Sequence, residues 1–158
     1  PVLPIGRQIQ ESIILHHQAK DKKEALNIAG HLLELVRLPH PQRILRSYPH
    51  QLSGGMNQRV MIALGLSCGP KLLIADEPTS SLDVTVEAQI IRMLLELKEK
   101  SRFSILFITH NLALAERFAS RVAIMFKGKI VEEGLTKDIF SAPKHPHTQE
   151  LINSIIRL

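Results

Sequence analysis

The chain contains one cysteine, one tyrosine and no tryptophan, and each scarcity narrows what it does. Cys68 has no second cysteine to bridge, and its place in "IALGLSCGP" predicts the buried end of a helix in a cytosolic setting. Aromatics make up 4% of the residues and no basic stripe is interleaved with them, so nucleic acid would find no stacking platform and is not an expected partner. No apolar run approaches the ~20 residues that span a bilayer. The first residues also lack the charged and apolar regions of a signal peptide. The eight histidines are scattered: neither His16 and His17 nor His145 and His147 have partners at zinc-ligand spacing, so no metal cage is expected.

What is present is a chain of 158 residues, long enough to bury one core and a smaller appended lobe. Its formal charge of +5 is uneven, because Lys and Arg outnumber Asp and Glu by 8 to 4 through residue 60 but only by 12 to 11 afterwards. Solvated lysines and arginines are the plainer account of this basic first lobe; an acidic protein or a membrane surface is the alternative. The opening "PVLPIGRQIQES" starts on Pro1 and reads as the middle of a longer chain.

Two halves differ in texture. Residues 1–68 read as helical, and 69–158 as alternating strands and helices. In "DKKEALNIAGHLLELVRL", Asp21 stands where an N-cap belongs with Glu24 three later, a pattern like a capping box. Ala25, Ala29, Leu32, Leu33 and Val36 recur at helical spacing, and Pro39 and Pro41 stop the helix. A further helix is predicted from Gly55 to about Ser67, burying Val60, Met61 and Leu64. Beyond Lys71, "KLLIADEP" and "FSILFITH" read as strands flanking an amphipathic helix whose apolar side holds Ile90, Ile91, Leu94 and Leu97. Strand, helix, strand implies a parallel pair, and near-continuous apolar strands imply a sheet covered by helices on both faces. "RVAIMFKGKIVEEG" has a Lys-Gly turn between two apolar segments. The closing "KHPHTQELINSIIRL" predicts a helix begun near Pro146 and Thr148, with Leu151, Ile155 and Leu158 available for packing.

The chemistry concentrates in three short stretches. "LSGGMNQR" places Ser53, Gly54 and Gly55 ahead of a helix, although glycine is a poor helix former. A serine N-cap with an eased entry explains this, and so does an anion site where bare backbone N–H groups approach a phosphate. An apolar strand ending in Asp76 and Glu77 sets two carboxylates side by side, which is costly unless they have partners or work to do. A magnesium ion and a triphosphate would provide that work: Asp76 can hold a metal-bound water while Glu77 polarises the attacking water. His110, at the end of the neighbouring strand, can contact a γ-phosphate or serve as a structural hydrogen-bonding residue. Asp83 fits equally as the N-cap of the following helix. Thr79, Ser80 and Ser81 fit a turn, and Gln58 and Arg59 fit the polar side of their helix.

In order and spacing, "LSGGMNQR", "LLIADEPTSSLD" and "FITHNL" resemble the nucleotide-binding subunit of an ABC transporter. "YPHQLSGGM", "IVEEG" and "IFSAPKHPHTQELI" resemble the subfamily that energises bacterial uptake of dipeptides, oligopeptides or nickel. The resemblance implies an α/β fold: part of a RecA-like P-loop NTPase parallel sheet with helices on both faces, plus a helical signature subdomain over residues 1–68. It implies ATP and Mg2+ as cofactors, with hydrolysis coupled to transmembrane transport. Ser53, Gly54 and Gly55 would contact the γ-phosphate of ATP held by the opposite subunit, and Gln58 would support their turn. Asp76 would be the magnesium-associated acid, Glu77 the catalytic base and His110 the switch histidine. Ser81 and Asp83 would lie in the loop that communicates across the dimer. The implied partners are membrane permease subunits, a second ATP-binding subunit and, indirectly, a substrate-binding protein. The implied location is the cytoplasmic face of the bacterial inner membrane, held peripherally.

Departures from the pattern are Asn57 within the signature, Ser81 where alanine is common, Asn111 after the switch histidine, and His147 where tyrosine is expected. None removes a catalytic group. No G-x-x-x-x-G-K-[ST] occurs in the chain, so the lysine and backbone nest that grip the β- and γ-phosphates are absent from it. The 158 residues are therefore expected to be the later portion of a nucleotide-binding domain, inactive alone. One alternative is a non-catalytic module that keeps the helical lobe to dock a permease. Another is a DNA-tethering or repair ATPase, but residues 38–76 leave no room for its long coiled coil.

Overall fold

The computed structural model describes residues 2–80 and 82–154. The chain divides into two compact units, Pro1–Ile108 and Thr109–Leu158. The sequence-derived boundary at residues 68 and 69 falls inside the first unit, between a helix and the strand that follows it.

The first unit opens with three helices, α1 (Ile5–Leu15), α2 (Lys22–Leu35) and α3 (Pro41–Arg46), and a 3-10 turn, Pro49–Gln51. Ile5, Ile9 and Ile13 repeat every fourth residue, so one stripe of α1 is apolar, and all three are at most 1% exposed. Helix α2 starts as its sequence predicts: the Asp21 carboxylate accepts from the Glu24 N–H at 2.8 Å. The return bond of a strict capping box would reach the Asp21 N–H, but the Glu24 carboxylate accepts instead from Lys20 N–H, at 2.7 Å. Ala25, Ala29, Leu33 and Val36 are fully buried beside the isoleucines of α1.

Helix α4 (Gly54–Leu66) is packed on two sides, which corrects one expectation. Val60, Ile62 and Ala63 are buried, Leu64 is half-buried, and Met61 is 61% exposed. A helix apolar nearly all round has no single buried stripe, and Met61 occupies its open wall. Cys68 is half-buried just past the helix end; the buried residue there is Ser67, whose hydroxyl donates to Leu64 O at 2.6 Å.

Strands β1 (Leu72–Asp76) and β2 (Ser104–Ile108) pair in parallel, Leu72 opposite Ser104 and Asp76 opposite Ile108. Helix α5 (Val84–Ser101) connects them and buries Ile90, Ile91, Met93, Leu94 and Leu97. Period-2 alternation turns Leu73, Ile105 and Phe107 toward the helical core. The opposite face of this two-stranded sheet carries Leu72, Ile74, Leu106 and Ile108, each between 46% and 61% exposed. The apolar strands thus meet helices on one face within this unit.

The second unit is built on a hairpin, β3 (Arg121–Phe126) antiparallel to β4 (Lys129–Leu135). Lys127 and Gly128 link them with φ of 49° and 75°; two positive values are the signature of a type I′ turn, which glycine adopts without strain. Helices α6 (Leu112–Phe118), α7 (Thr136–Ser141) and α8 (Pro146–Asn153) complete it. Ile124, Ile139, Phe140 and Ile152 form its core, with Leu151 packed against them. The predicted contributions of Ile155 and Leu158 lie outside the described residues.

At the start of α8, the Glu132 carboxylate of β4 accepts from the backbone N–H groups of Lys144 and His145, at 2.8 and 3.0 Å. Those bonds, together with the nearby Thr148 hydroxyl, hold its pKa below the ordinary carboxylate range, Thr148 having the largest effect. Thr148 is fully buried and lies near this carboxylate without reaching the geometry of a regular hydrogen bond.

Candidate functional site

Ser53 has extended backbone (φ −68°, ψ 163°) and its hydroxyl accepts from Met56 N–H at 3.4 Å, so it is the N-cap of α4. Ser53 and Gly54 are exposed and Gly55 is half-buried. The two glycines have different surroundings. A Cβ on Gly54 would sit 3.6 Å from Leu82 Cδ2, an ordinary contact, whereas one on Gly55 would sit 2.9 Å from Val86 Cγ1. The second glycine is therefore required by packing against the first turn of α5, and the first is not.

The approach to this turn is held by Asn57, whose amide donates to Pro49 O at 3.0 Å and to Leu52 O at 3.4 Å. Gln58, the residue expected to support the turn, lies half-buried on the same helix. Arg59 reaches across to α2 and α5: its guanidinium donates to Val36 O at 2.9 Å and to Gln89 Oε1 at 3.4 Å. Partial burial and, secondarily, Arg37 lower its pKa. Arg37 in turn pairs with Glu96 of α5. Sequence alone left Asn57 as a departure and Arg59 as surface, because the bonds that distinguish them go to backbone carbonyls, which carry no mark in the sequence.

Asp76 closes β1 and Glu77 follows it, both exposed. Glu77 adopts φ 43°, an uncommon value for a residue with a side chain. Its N–H donates to Ile108 O at 2.9 Å, extending the β1 and β2 ladder by one bond, and its carbonyl accepts from Ser80 N–H at 3.2 Å. That second bond closes a β-turn over Pro78 and Thr79, both buried. Asp83 is the N-cap of α5, accepting from Val86 N–H at 2.9 Å. Ser81 lies outside the described residues. Within the first unit, then, the structure places Gly54 beside Leu82 and Gly55 beside Val86, at the start of the helix that Asp83 caps.

His110 belongs to the second unit, exposed and directly before Asn111. Asn111 caps α6 by accepting from Leu114 N–H at 3.1 Å, and its own N–H donates to Thr109 Oγ1 at 3.0 Å.

Among the described residues no group of three or more His, Cys, Asp or Glu is placed to hold a metal ion. Adjacent exposed carboxylates at a strand end suit a cation that keeps most of its water and takes one or two protein oxygens, as magnesium does with phosphates. The start of α4 offers exposed N–H groups and the positive end of a 13-residue helix, which suit an anion.

Residues 4–80 match the family described as ABC transporter. The chain is 52% identical over 155 residues to the dipeptide transport ATP-binding protein DppD of Haemophilus influenzae, covering 98% of this chain and 47% of that protein. It is 48% identical over 158 residues to the glutathione import ATP-binding protein GsiA of Escherichia coli, covering all of this chain and 25% of that protein. The chain thus spans about half the length of DppD and about a quarter of that of GsiA. The dimeric structure of MJ0796, a bacterial ABC transporter cassette, superposes with a TM-score of 0.74 at 29% identity, covering 86% of this chain and 58% of that one. A post-hydrolysis dimer of the same cassette bound to ADP and Pi gives a TM-score of 0.74 at 28% identity.

Proposed function

We propose that this chain, which belongs to the ABC transporter family in its nucleotide-binding subunits, serves within an ATP-hydrolysing subunit that energises bacterial uptake of di- or oligopeptides or a related solute. The observation that carries this reading is the seating of the glycine turn on α5, the helix that emerges from the Asp76 and Glu77 loop. The start of α5 thereby adjoins both the turn that would face a second subunit's nucleotide and the loop that follows this chain's own carboxylates.

In this reading Glu77 is the general base that accepts a proton from the attacking water. Asp76 holds a water of the magnesium ion, whose chemistry when bound is to neutralise charge on the phosphates. Ser53, Gly54 and Gly55 present N–H groups and a hydroxyl to the γ-phosphate of a nucleotide held by a second subunit. Gln58 supports that turn, Ser81 and Asp83 serve the loop facing the second subunit, and His110 orients the water. Residues 1–68 form the lobe that meets the permease, and 69–158 the later part of the ATPase core. The protein sits peripherally on the cytoplasmic face of the inner membrane. Among the described residues no helix is long and apolar enough to cross a membrane.

The test is Glu77→Gln in the full-length subunit. It should bind ATP, dimerise and stall; turnover close to the parent's would remove Glu77 as the base.

A further inference from the structure

Glu87 lies one turn into α5 and takes no part in the chemistry just assigned. Its Oε1 accepts from the Thr79 hydroxyl at 2.6 Å, a short and charge-assisted bond. Thr79 is only 7% exposed, so this bond is shielded from competing water. Thr79 is also the third residue of the β-turn that begins at Glu77, and its carbonyl accepts from Leu82 N–H at 3.1 Å. Among the described residues the loop is thus tied to sheet backbone at one end and to helix backbone at the other, and Glu87 supplies a side-chain anchor in its middle.

The anchor matters because Glu77 is held at φ 43°. A side-chain-bearing residue stays in that region only when its surroundings over-determine it. The sheet supplies one constraint, Ile108 O; the turn supplies another, through Ser80 N–H. The turn in turn keeps its shape because its buried corner is bonded to a helix that is itself capped by Asp83 and packed through Ile90 and Leu94. Glu87 also sits in the first turn of α5, where the helix dipole favours its negative charge.

We infer that Glu87 is a positioning residue: through Thr79 it sets the direction in which Glu77 presents its carboxylate. This rests on the proposed role of Glu77 as the base. It predicts that loosening the anchor lowers turnover without weakening nucleotide binding, since Glu87 and Thr79 face the loop's interior.

The experiment compares Thr79→Val, Thr79→Ser, Glu87→Ala and Glu87→Gln in the full-length subunit. It reads kcat and KM for ATP with magnesium, melting temperature, and amide hydrogen exchange at Ser80 and Leu82. Thr79→Val and Glu87→Ala should each lower kcat about tenfold, the scale of a modest misplacement of a catalytic group, with KM little changed. The double variant should be no worse than either single one. Thr79→Ser and Glu87→Gln keep a donor and an acceptor and should retain most of the activity. Exchange at Ser80 and Leu82 should quicken in the two disruptive variants, a readout independent of turnover. Unchanged kcat and unchanged exchange, or a fall in melting temperature with kcat intact, would overturn the inference while leaving Glu77 as the base. Parental turnover in Glu77→Gln would instead overturn the underlying assignment, and Glu87 would then have no catalytic group to position.

Discussion

Gly55 and Val86 meet where a side chain on the glycine would stand 2.9 Å from the valine Cγ1. Valine is stiff at χ1 and cannot swing this methyl away cheaply. The contact joins the start of α4 to the start of α5. It also separates a packing need for the second glycine from any need to approach a phosphate.

Gly55→Ala should therefore destabilise the chain by about 1–3 kcal/mol, the usual range for overpacking. Val86→Ala in the same chain should recover most of that loss. Urea denaturation of the two single variants and the double variant measures it. A Gly55→Ala loss that Val86→Ala does not relieve would place the strain elsewhere.

Asn57 holds the 49–52 segment through two carbonyls, so Asn57→Asp replaces the donating amide with a group that accepts only. A loss of about 1–2 kcal/mol is expected, at least as large as for Asn57→Ala. Equal stability of the Asp variant and the parent would show that these bonds contribute nothing net.

Arg59 ties α4 to the end of α2 and to α5 through Val36 O and Gln89. Arg59→Ala should cost about 1.5–3 kcal/mol, the range for hydrogen bonds to a charged group. Arg59→Lys should recover only part, because a single ammonium cannot reach two acceptors with the fixed fork of a guanidinium. Thermal unfolding of the three chains orders them; a lysine variant equal to the parent would mean that charge alone suffices.

Glu132 has a folded-state pKa below the ordinary range, first from Thr148 and then from the Lys144 and His145 N–H groups. A depressed carboxylate contributes stability above its unfolded pKa of about 4.3 and loses it as pH falls through the lower folded value. The parent should thus melt higher than Glu132→Gln at neutral pH, and the gap should shrink only on acidification below about pH 4.3. A gap that stays constant well below about pH 4.3 would mean that ionisation of Glu132 does not stabilise the fold.

Local chemistry made several elements legible before any coordinates. Asp21 caps α2, Lys127 and Gly128 turn the hairpin, and Ile90, Ile91, Leu94 and Leu97 form the buried side of α5. Each depends on residues within a few positions of one another, which is the range over which caps, turns and amphipathic periods act. The stretches "LSGGMNQR" and "LLIADEPTSSLD" also carried the resemblance to the family, because their order and spacing are linear properties.

Other features depended on neighbours remote in sequence. Met61 is exposed because α4 is packed on two of its other sides, and no period within α4 tells which wall stays open. The Asn57 and Arg59 bonds end on backbone carbonyls, which every residue has, so the side chains carry no mark of their partners. Thr79 looked like an ordinary turn residue until Glu87, eight positions on, came within 2.6 Å of it. Sequence by itself determined the caps, the turns, the helix faces and the order of the functional stretches, since these follow from nearby residues. Tertiary structure alone decided which glycine needs to be a glycine, which side of α4 is open, and what anchors the Glu77 loop, since packing brings those groups together across the chain.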